Sequence, residues 1–568
     1  MSGKELNKVK TAANAIGYVV MLLLAILFFN EVSNRYFKRA DFTADHIYTL
    51  SQPSKDLVAK LPDRMTVKAY ISNDLQPPFS QVAQYVRDLL DEYKNAGSKG
   101  GKFVWEAVDP GTDAKLEEEA TKMKVPKMRR GKVSSNKVEI GTSYLGVAFQ
   151  YGGQIESIPE INSPEGLEFQ ITSLIKRMTV KKKKLAFAAS EGELSTAGDP
   201  QGAHGGAGLQ IVSQYMSDYE VVPVQLGTGE KPIPDDADAL VIAGPKQPFT
   251  ERSKYVIDQF LMKGKSVAIF VAGMVIESPR QMQVPGMEGQ PRIGRKNDVQ
   301  LDDLLDSYGF KVHDDVVLEP KQNVPGPVPV QGQLFLANYP TFVAATKIDE
   351  KSSIMDHIKA LVLPFASSVE RVKDKQPNVT VSELASSTPD AWRQGGFFLY
   401  DPQNAQLKVG EDKGPFVFAY SATGKFKSFF AGKPYPNEKG EKVPPPDPNV
   451  SLPPGQEKPL DESVQPARLV LVGNADFASD EYLRFGRQIP TYGSNLLFFM
   501  NMMDWLAQDE ALAPIRAKGV QSRPLIYASD STPTMVQFAN MVGVPLAFIL
   551  FGVVRWRVRS ARRRTAKL

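Results

Sequence analysis

Two apolar runs, one near each end, most constrain what this 568-residue chain can fold into. Ala12 to Phe29 reads AANAIGYVVMLLLAILFF, with Asn14 as its one strongly polar residue. As a helix it would extend about 27 Å, close to the hydrocarbon thickness of a bilayer. Met535 to Val554 reads MVQFANMVGVPLAFILFGVV. It carries Gln537, Asn540 and Pro545 and makes a weaker span. Its proline is tolerable because neighbouring groups in a membrane bundle re-satisfy the freed carbonyl. Two buried core helices are the alternative for both runs, and a cleavable signal peptide is a third reading for the first. Lys4, Lys8 and Lys10 would suit a signal peptide, but no small-x-small site closes the run at 30–34. Membrane helices at about 12–29 and 535–554 are therefore expected.

Basic residues set the expected orientation. Lys4, Lys8 and Lys10 precede the first run. Arg555, Arg557, Arg559, Arg562, Arg563, Arg564 and Lys567 follow the second, with no acid among them. Positive flanks stay in the cytoplasm, and long loops translocate largely regardless of charge. Both termini are then cytoplasmic. The body from Glu31 to about Pro533 is periplasmic, outside a bacterial inner membrane, although Arg35, Lys38 and Arg39 run against the rule. The Arg555–Lys567 tail is expected to meet anionic lipid head groups. A net charge of +4 gives no whole-chain sign of nucleic-acid binding. Cysteine is absent, which removes disulfides, thiolate metal sites and every thiol nucleophile.

The body reads as α/β. In residues 41–180, MTVKAYIS (65–72) alternates as a strand does, and Val82, Tyr85, Leu89 and Tyr93 share one helical face. Lys102 to Val108 follows as a strand ending at Asp109-Pro110, then a helix from Lys115 to Met123. A hairpin over 144–159 is closed by Gly152-Gly153, and an amphipathic helix runs from Gly166 to Met178. This order resembles a thioredoxin-like domain without the C-x-x-C. From Lys181 on, apolar runs at 185–190, 220–225, 237–244 and 266–271 alternate with helices at 209–219 and 251–263. That pattern predicts a doubly wound, amidotransferase-like sheet. Arg468 to Val472 is expected to return to it after a long insertion. The division is 1–40, 41–180, 181–274 with 467–533, the insertion 275–466, the second span 535–554 and the tail 555–568. Within the insertion, strand-like stretches stand at 396–400 and 416–420, and the proline-rich 433–466 reads as an exposed loop or a partner-docking segment.

Catalytic signatures fail. Gly264-Lys265-Ser266 lacks the glycine a phosphate loop needs at 259 and precedes a strand instead of following one. Gly202, Gly205, Gly206 and Gly208 stand before a helix, where an anion could bind, but start too far from a strand for a dinucleotide fingerprint. The elbow after 266–271, where amidotransferase-like domains carry a cysteine, reads Ala272-Gly273-Met274. His46, His204, His313 and His357 form no H-x-x-x-H pair and flank no G-x-S-x-G elbow. No catalytic residue, metal site or cofactor is expected. Two turns at carboxyl ends of strands remain as candidate ligand positions: Ser190, Glu191 and Glu193 after one strand, Asn474 and Asp476 after another. Helix caps and turn residues are the plainer reading. The helix from Asn495 to Ala507 is apolar nearly all round. Its Phe498, Phe499, Met502 and Trp505 are either core or a partner contact.

Several stretches share a pattern in order: FTADHIYTLS at 42–51, Asp109-Pro110, LVLVGNADFASD at 469–480, Gly493-Ser-Asn495, NMMDWLA at 501–507, IRAK at 515–518 and Arg523-Pro-Leu525. Together they resemble the gliding-motility-associated ABC-transporter auxiliary family (GldG-like). The chain departs from it at Ser190-Glu191-Gly192-Glu193, where a Gly-His-Gly-Glu-like turn is expected. The resemblance implies an extracytoplasmic body working with an ABC-2-type permease and a cytoplasmic ABC ATPase. It also implies a domain similar to ones in an intraflagellar transport protein and a noncatalytic oligosaccharyltransferase subunit. The expected function is a non-catalytic accessory subunit coupling that transporter to an envelope protein, glycan or cargo, in gliding or another envelope machine. A periplasmic glycan- or peptide-binding module and a diverged amidotransferase-like enzyme are the alternatives.

Overall fold

The computed structural model describes residues 49–97, 101–134, 137–197, 208–227, 232–277, 292–330, 333–400, 409–444, 458–508 and 539–565. The first apolar run lies outside them except for Met21, Leu22 and Phe28, which are helical and exposed. Residues 42–48, 515–518 and 523–525 of the family pattern also lie outside. The chain divides into two units, Met1–Lys518 and Gly519–Leu568.

The first unit opens with α1 (Gln52–Ala59), β1 (Met65–Ile71), α2 (Phe79–Ala96), β2 (Phe103–Val108), β3 (Leu145–Tyr151), β4 (Gln154–Ile158) and α3 (Leu167–Thr179). The sheet order is β2-β1-β3-β4, with β1 and β2 parallel and the other pairs antiparallel. Val82, Tyr85, Leu89 and Tyr93 all point into this core, as their helical spacing predicts. Gly152 and Gly153 both take positive φ, which is why two glycines close the β3–β4 hairpin. Pro53 sits in the first turn of α1, where its missing N–H costs nothing, and the Ser51 amide just before it donates to Glu168 Oε1 at 2.8 Å. Asp109, of the Asp-Pro pair, accepts from the amides of Asn73 (2.9 Å) and Gly111 (3.0 Å) and so joins the end of β1 to the turn after β2.

A larger sheet follows, from β5 (Lys183–Ala188), α4 (Gln210–Tyr215), β6 (Tyr219–Val224), β7 (Ala239–Ala243), α5 (Glu251–Met262) and β8 (Ser266–Phe270). The next stretch includes β9 (Asn323–Val330), β10 (Gln333–Ala345), β11 (Leu361–Pro364) and β12 (Val417–Gly424). β13 (Ala467–Val472) returns to the larger sheet and α6 (Pro490–Leu506) follows it, while β9-β10-β11 form a separate three-stranded sheet. β6-β5-β7-β8-β13 are parallel neighbours, an order of 2-1-3-4-5, one of the two common doubly wound arrangements. The apolar runs alternate between faces. Leu185, Phe187, Val241, Phe270 and Val472 enter one core, and Ala186, Leu240, Ile242, Ile269 and Leu471 the other. Burial on both faces is why these strands are continuously apolar. α4 is shorter than the helix expected at 209–219: the chain turns at 216–218 so that Tyr219 can pair in β6.

The stretch 275–466 does more than interrupt this sheet. β12 pairs antiparallel with β13, and Val369–Arg371 and Val379–Ser386 extend the sheet beyond it. The strand-like stretches read at 396–400 and 416–420 correspond to Phe398–Tyr400 and β12. Of the proline-rich segment, 445–457 lies outside the described residues, and Tyr435–Pro436 pairs with Lys442–Val443.

The second unit is described over 539–565, where a π-helical turn (Ala539–Gly543) leads into α7 (Val544–Thr565). Met541–Val558, with a mean hydropathy of 1.7, is long and apolar enough to cross a membrane. The helix does not stop at Val554 but carries the arginines from Arg555 onward as a continuous extension to Thr565.

Candidate functional site

Doubly wound sheets hold ligands where the strand order reverses, outside the carboxyl ends of the strands. Here that crevice lies between β5 and β7, and the chain leaves β5 through Ser190-Glu191-Gly192-Glu193. Gly192 takes φ +75°, which turns both glutamates inward. Each is only 5% exposed. Glu191 is fully engaged. Its Oε1 accepts Ser253 Oγ at 2.6 Å, its Oε2 accepts Ser190 Oγ, and its carbonyl accepts the amides of Lys246 (3.0 Å) and Gln247 (2.9 Å). Ser253 lies in the first turn of α5, whose cap is Thr250, so a helix N-terminus faces the Glu191 carboxylate.

Glu193 differs. Its Oε2 accepts the Glu191 amide at 2.7 Å, while its Oε1 is buried without a hydrogen-bond partner. Burial, reinforced by the neighbouring Glu191 charge, pushes its carboxyl up to about 7.

The second turn follows β13. Asn474 Oδ1 accepts the Phe477 amide at 2.8 Å, and its Nδ2 donates to Pro364 O at 2.5 Å. Asp476 opens the 3₁₀ turn Asp476–Ala478 and is half-buried. The two turns meet over the end of β7. A Cβ on Gly244 would come within 3.1 Å of Ala475 Cβ and 3.2 Å of Leu194 Cγ.

Nearby positions that could receive a ligand are occupied by the chain itself. The start of α4, weighed from the sequence as a place where an anion could bind, receives the Asp480 carboxylate, which accepts the amides of Gln210 (2.9 Å) and Ile211 (2.6 Å). The glycines at 202, 205 and 206 lie outside the described residues. The elbow after β8 is covered: Gly273 N donates to Ser367 Oγ at 2.9 Å, and a Cβ on Gly273 would stand 2.0 Å from His313 O. Among the described residues no group of three His, Asp or Glu side chains could hold a metal ion. His313 Nε2 lies 2.9 Å from Glu370 at a sheet edge. His46 and His204 are outside the described residues. A cavity of about 380 Å³ lies away from these turns, between α1 and α2, lined by Gln52, Lys55, Asp56, Glu92 and Asn95.

Phe498, Phe499 and Met502 have no exposed surface, and Trp505 is half-buried with the Arg468 guanidinium 4.8 Å over its ring. They pack between the sheet and the segment carrying β11. The polar residues on α6 were not singled out from sequence, yet they carry the joint. Asn495 accepts the Val362 amide (2.9 Å) and donates to the carbonyls of Val362 (2.7 Å) and Phe477 (3.0 Å). Asn501 donates to Ile354 O (3.3 Å) and Asp356 O (3.2 Å). Polar residues on an otherwise apolar helix, in stretches that belong to the family pattern, were their signal.

Comparisons with known proteins match these regions. Residues 182–502 fit the family model described as an ABC-type uncharacterized transport system, and residues 44–150 one described as a domain of unknown function (DUF7088). An uncharacterized protein of Borreliella burgdorferi is 22% identical over 557 residues, covering 95% of this chain and 97% of that protein. Among solved structures, the mmIFT52 N-terminal domain aligns with a TM-score of 0.31 and 13% identity, over 57% of this chain and 97% of that one. A ThuA-like protein from Bacteroides uniformis aligns with a TM-score of 0.26 and 10% identity, over 57% and 91%.

Proposed function

The chain belongs to the ABC-type uncharacterized transport system family, and from that premise we propose that it is a non-catalytic accessory subunit of an ABC transporter complex. The observation that carries this reading is the family match across 182–502, which takes in the whole parallel sheet and most of α6. The inward-turned bonding of Glu191, Asn474 and Asp480 supports a structural use of the strand ends. In this reading the body is periplasmic and is held at the inner membrane by spans at 12–29 and 535–554, with both termini cytoplasmic. The 41–180 domain is thioredoxin-like and the parallel sheet amidotransferase-like in fold. The chain has no phosphate loop and two spans at most, so ATP hydrolysis and the transport path belong to partners: a cytoplasmic ATPase and an ABC-2-type permease. The arginine-bearing end of α7 meets lipid head groups, and the body couples the transporter to an envelope component or cargo, in gliding or another envelope machine. Purification of the tagged chain from its native membranes in mild detergent tests this. Permease and ATPase should co-elute, and recovery of the chain alone would sink the proposal.

A second reading rests on Glu193 Oε1, a buried oxygen without a partner at the strand-order reversal. It would make the crevice a glycan or peptide site. Thermal-shift titration with envelope glycans and peptides separates the two: a flat response removes the binding module and leaves the accessory role untouched.

A further inference from the structure

β9 and β10 form a two-stranded ribbon, and only the base of it is held by the rest of the sheet. β11 pairs with Phe342–Ala345, while Gln333–Asn338 pairs with β9 alone among the described strands. Residues 335–338 are exposed, with Phe335 at 50% and Leu336 at 42%. Neighbours along a strand face opposite ways, so the ribbon offers apolar groups on both faces. From Asn323 to Thr346 there is no charged residue.

The two edges of the ribbon are unlike. Proline occupies 325, 327 and 329 and has no N–H to give. The ladder to β10 must therefore draw its β9 donors from Gly326, Val328 and Val330, which stand opposite Ala337, Phe335 and Gln333. This parity turns the three prolines to the outer edge of β9, where they block further strand addition. It also turns the N–H and C=O groups of Leu334, Leu336 and Asn338 away from β9, an edge that no described strand takes up.

We propose that Gln333–Asn338 pairs antiparallel with the same segment of a second copy of this chain, making a closed four-stranded sheet. Two-stranded ribbons are marginal in water, and widening to four strands covers the exposed apolar groups. Across the twofold axis Leu336 meets Leu336 of the second copy on one face, and Phe335 meets its Ala337 on the other. The lack of charge suits this, because a symmetric edge sets each residue against itself or a near neighbour, and like charges there repel. The proline-blocked edges end up outermost, so association stops at two copies instead of growing into a filament. Insertion of the ribbon into lipid is disfavoured, since hydrocarbon would leave the open edge unsatisfied. The pairing is independent of the transporter reading.

The chain has no cysteine, so one introduced residue reports cleanly. In native membranes, full-length Leu336→Cys treated with a short bis-maleimide should give an adduct of twice the 62.6 kDa chain mass. Asn338→Cys, four residues from its twofold mate along the paired strands and so about 14 Å from it, should do the same with a bis-maleimide of that reach. Glu438→Cys, on a remote exposed turn, should not. Adding Leu336→Lys to Asn338→Cys sets two cations face to face without altering the backbone and should cut the adduct at least tenfold. Absence of a same-chain adduct at both 336 and 338 overturns the proposal. So does an adduct with a different polypeptide, which would assign the open edge to another subunit.

Discussion

Glu193 keeps its two oxygens in different states, one accepting the Glu191 amide and one buried with nothing to bond. The neutral carboxyl tolerates this better than the carboxylate, so burial raises its proton affinity from the usual 4.5 to about 7. Between those values the folded protein binds a proton that the unfolded chain has lost. The stabilisation is therefore complete below about 4.5 and disappears as pH rises through about 7. At about 1.4 kcal/mol per tenfold change in affinity, the difference reaches at most about 3.5 kcal/mol. Glu193→Gln keeps an acceptor for the Glu191 amide and cannot ionise. It should match the parent in urea midpoint near pH 5 and exceed it near pH 8. Equal midpoints at pH 8 would mean that the ionised carboxylate has a partner. Gly244 is a second single-residue test. Its φ of +67° disfavours any side chain, and a Cβ there would crowd Ala475 and Leu194. Gly244→Ala should cost about 2 kcal/mol in urea unfolding, from left-handed backbone and crowding together.

At the scale of elements, α6 explains how the long stretch between β8 and β13 is bound to the sheet. The helix is apolar on nearly every side because it is enclosed, with the sheet on one side and β11 and Ser353–Met355 on another. Asn495 acts there as a strand edge would, giving and receiving with Val362 and also reaching Phe477. Asn495→Ala would strand one buried N–H and two carbonyls, so a loss of about 3 kcal/mol is expected. Asn501→Ala, which releases two longer bonds, should lose roughly half as much, by the same denaturant measurement. The parallel strands were legible in the sequence because burial on both faces demands unbroken apolar runs, as at 237–244 and 266–271. The 2-1-3-4-5 order was not, since apolarity does not say which strand neighbours which. The antiparallel extension through Val379–Ser386 and β12 was harder still, because serines, threonines and a half-exposed face blur its alternation. At the candidate site Ser190, Glu191 and Glu193 could be read from their place after a strand. Ser253 and Asp480, which engage Glu191 and the start of α4, come from 62 and 269 residues away and leave no local trace.

For the whole molecule the decisive quantity is the side of the membrane on which each part lies. Met541–Val558 is apolar enough to cross, and the helix continues through Arg555, Arg557, Arg559 and the Arg562–Arg564 run. Moving one arginine to the centre of a bilayer costs about 2.5–3.5 kcal/mol even on the gentlest scale. In the proposed topology, six together hold the tail on the side where it was made, while the long body follows a translocating segment. Single cysteines in the otherwise cysteine-free chain test this directly. Glu438→Cys, exposed on the body, should react with a membrane-impermeant maleimide in intact spheroplasts. Lys567→Cys, in the tail, should react only after permeabilisation. The opposite pattern would place the body in the cytoplasm, where no single-membrane arrangement lets it bridge a transporter to the envelope, and the accessory role as proposed would fall with it.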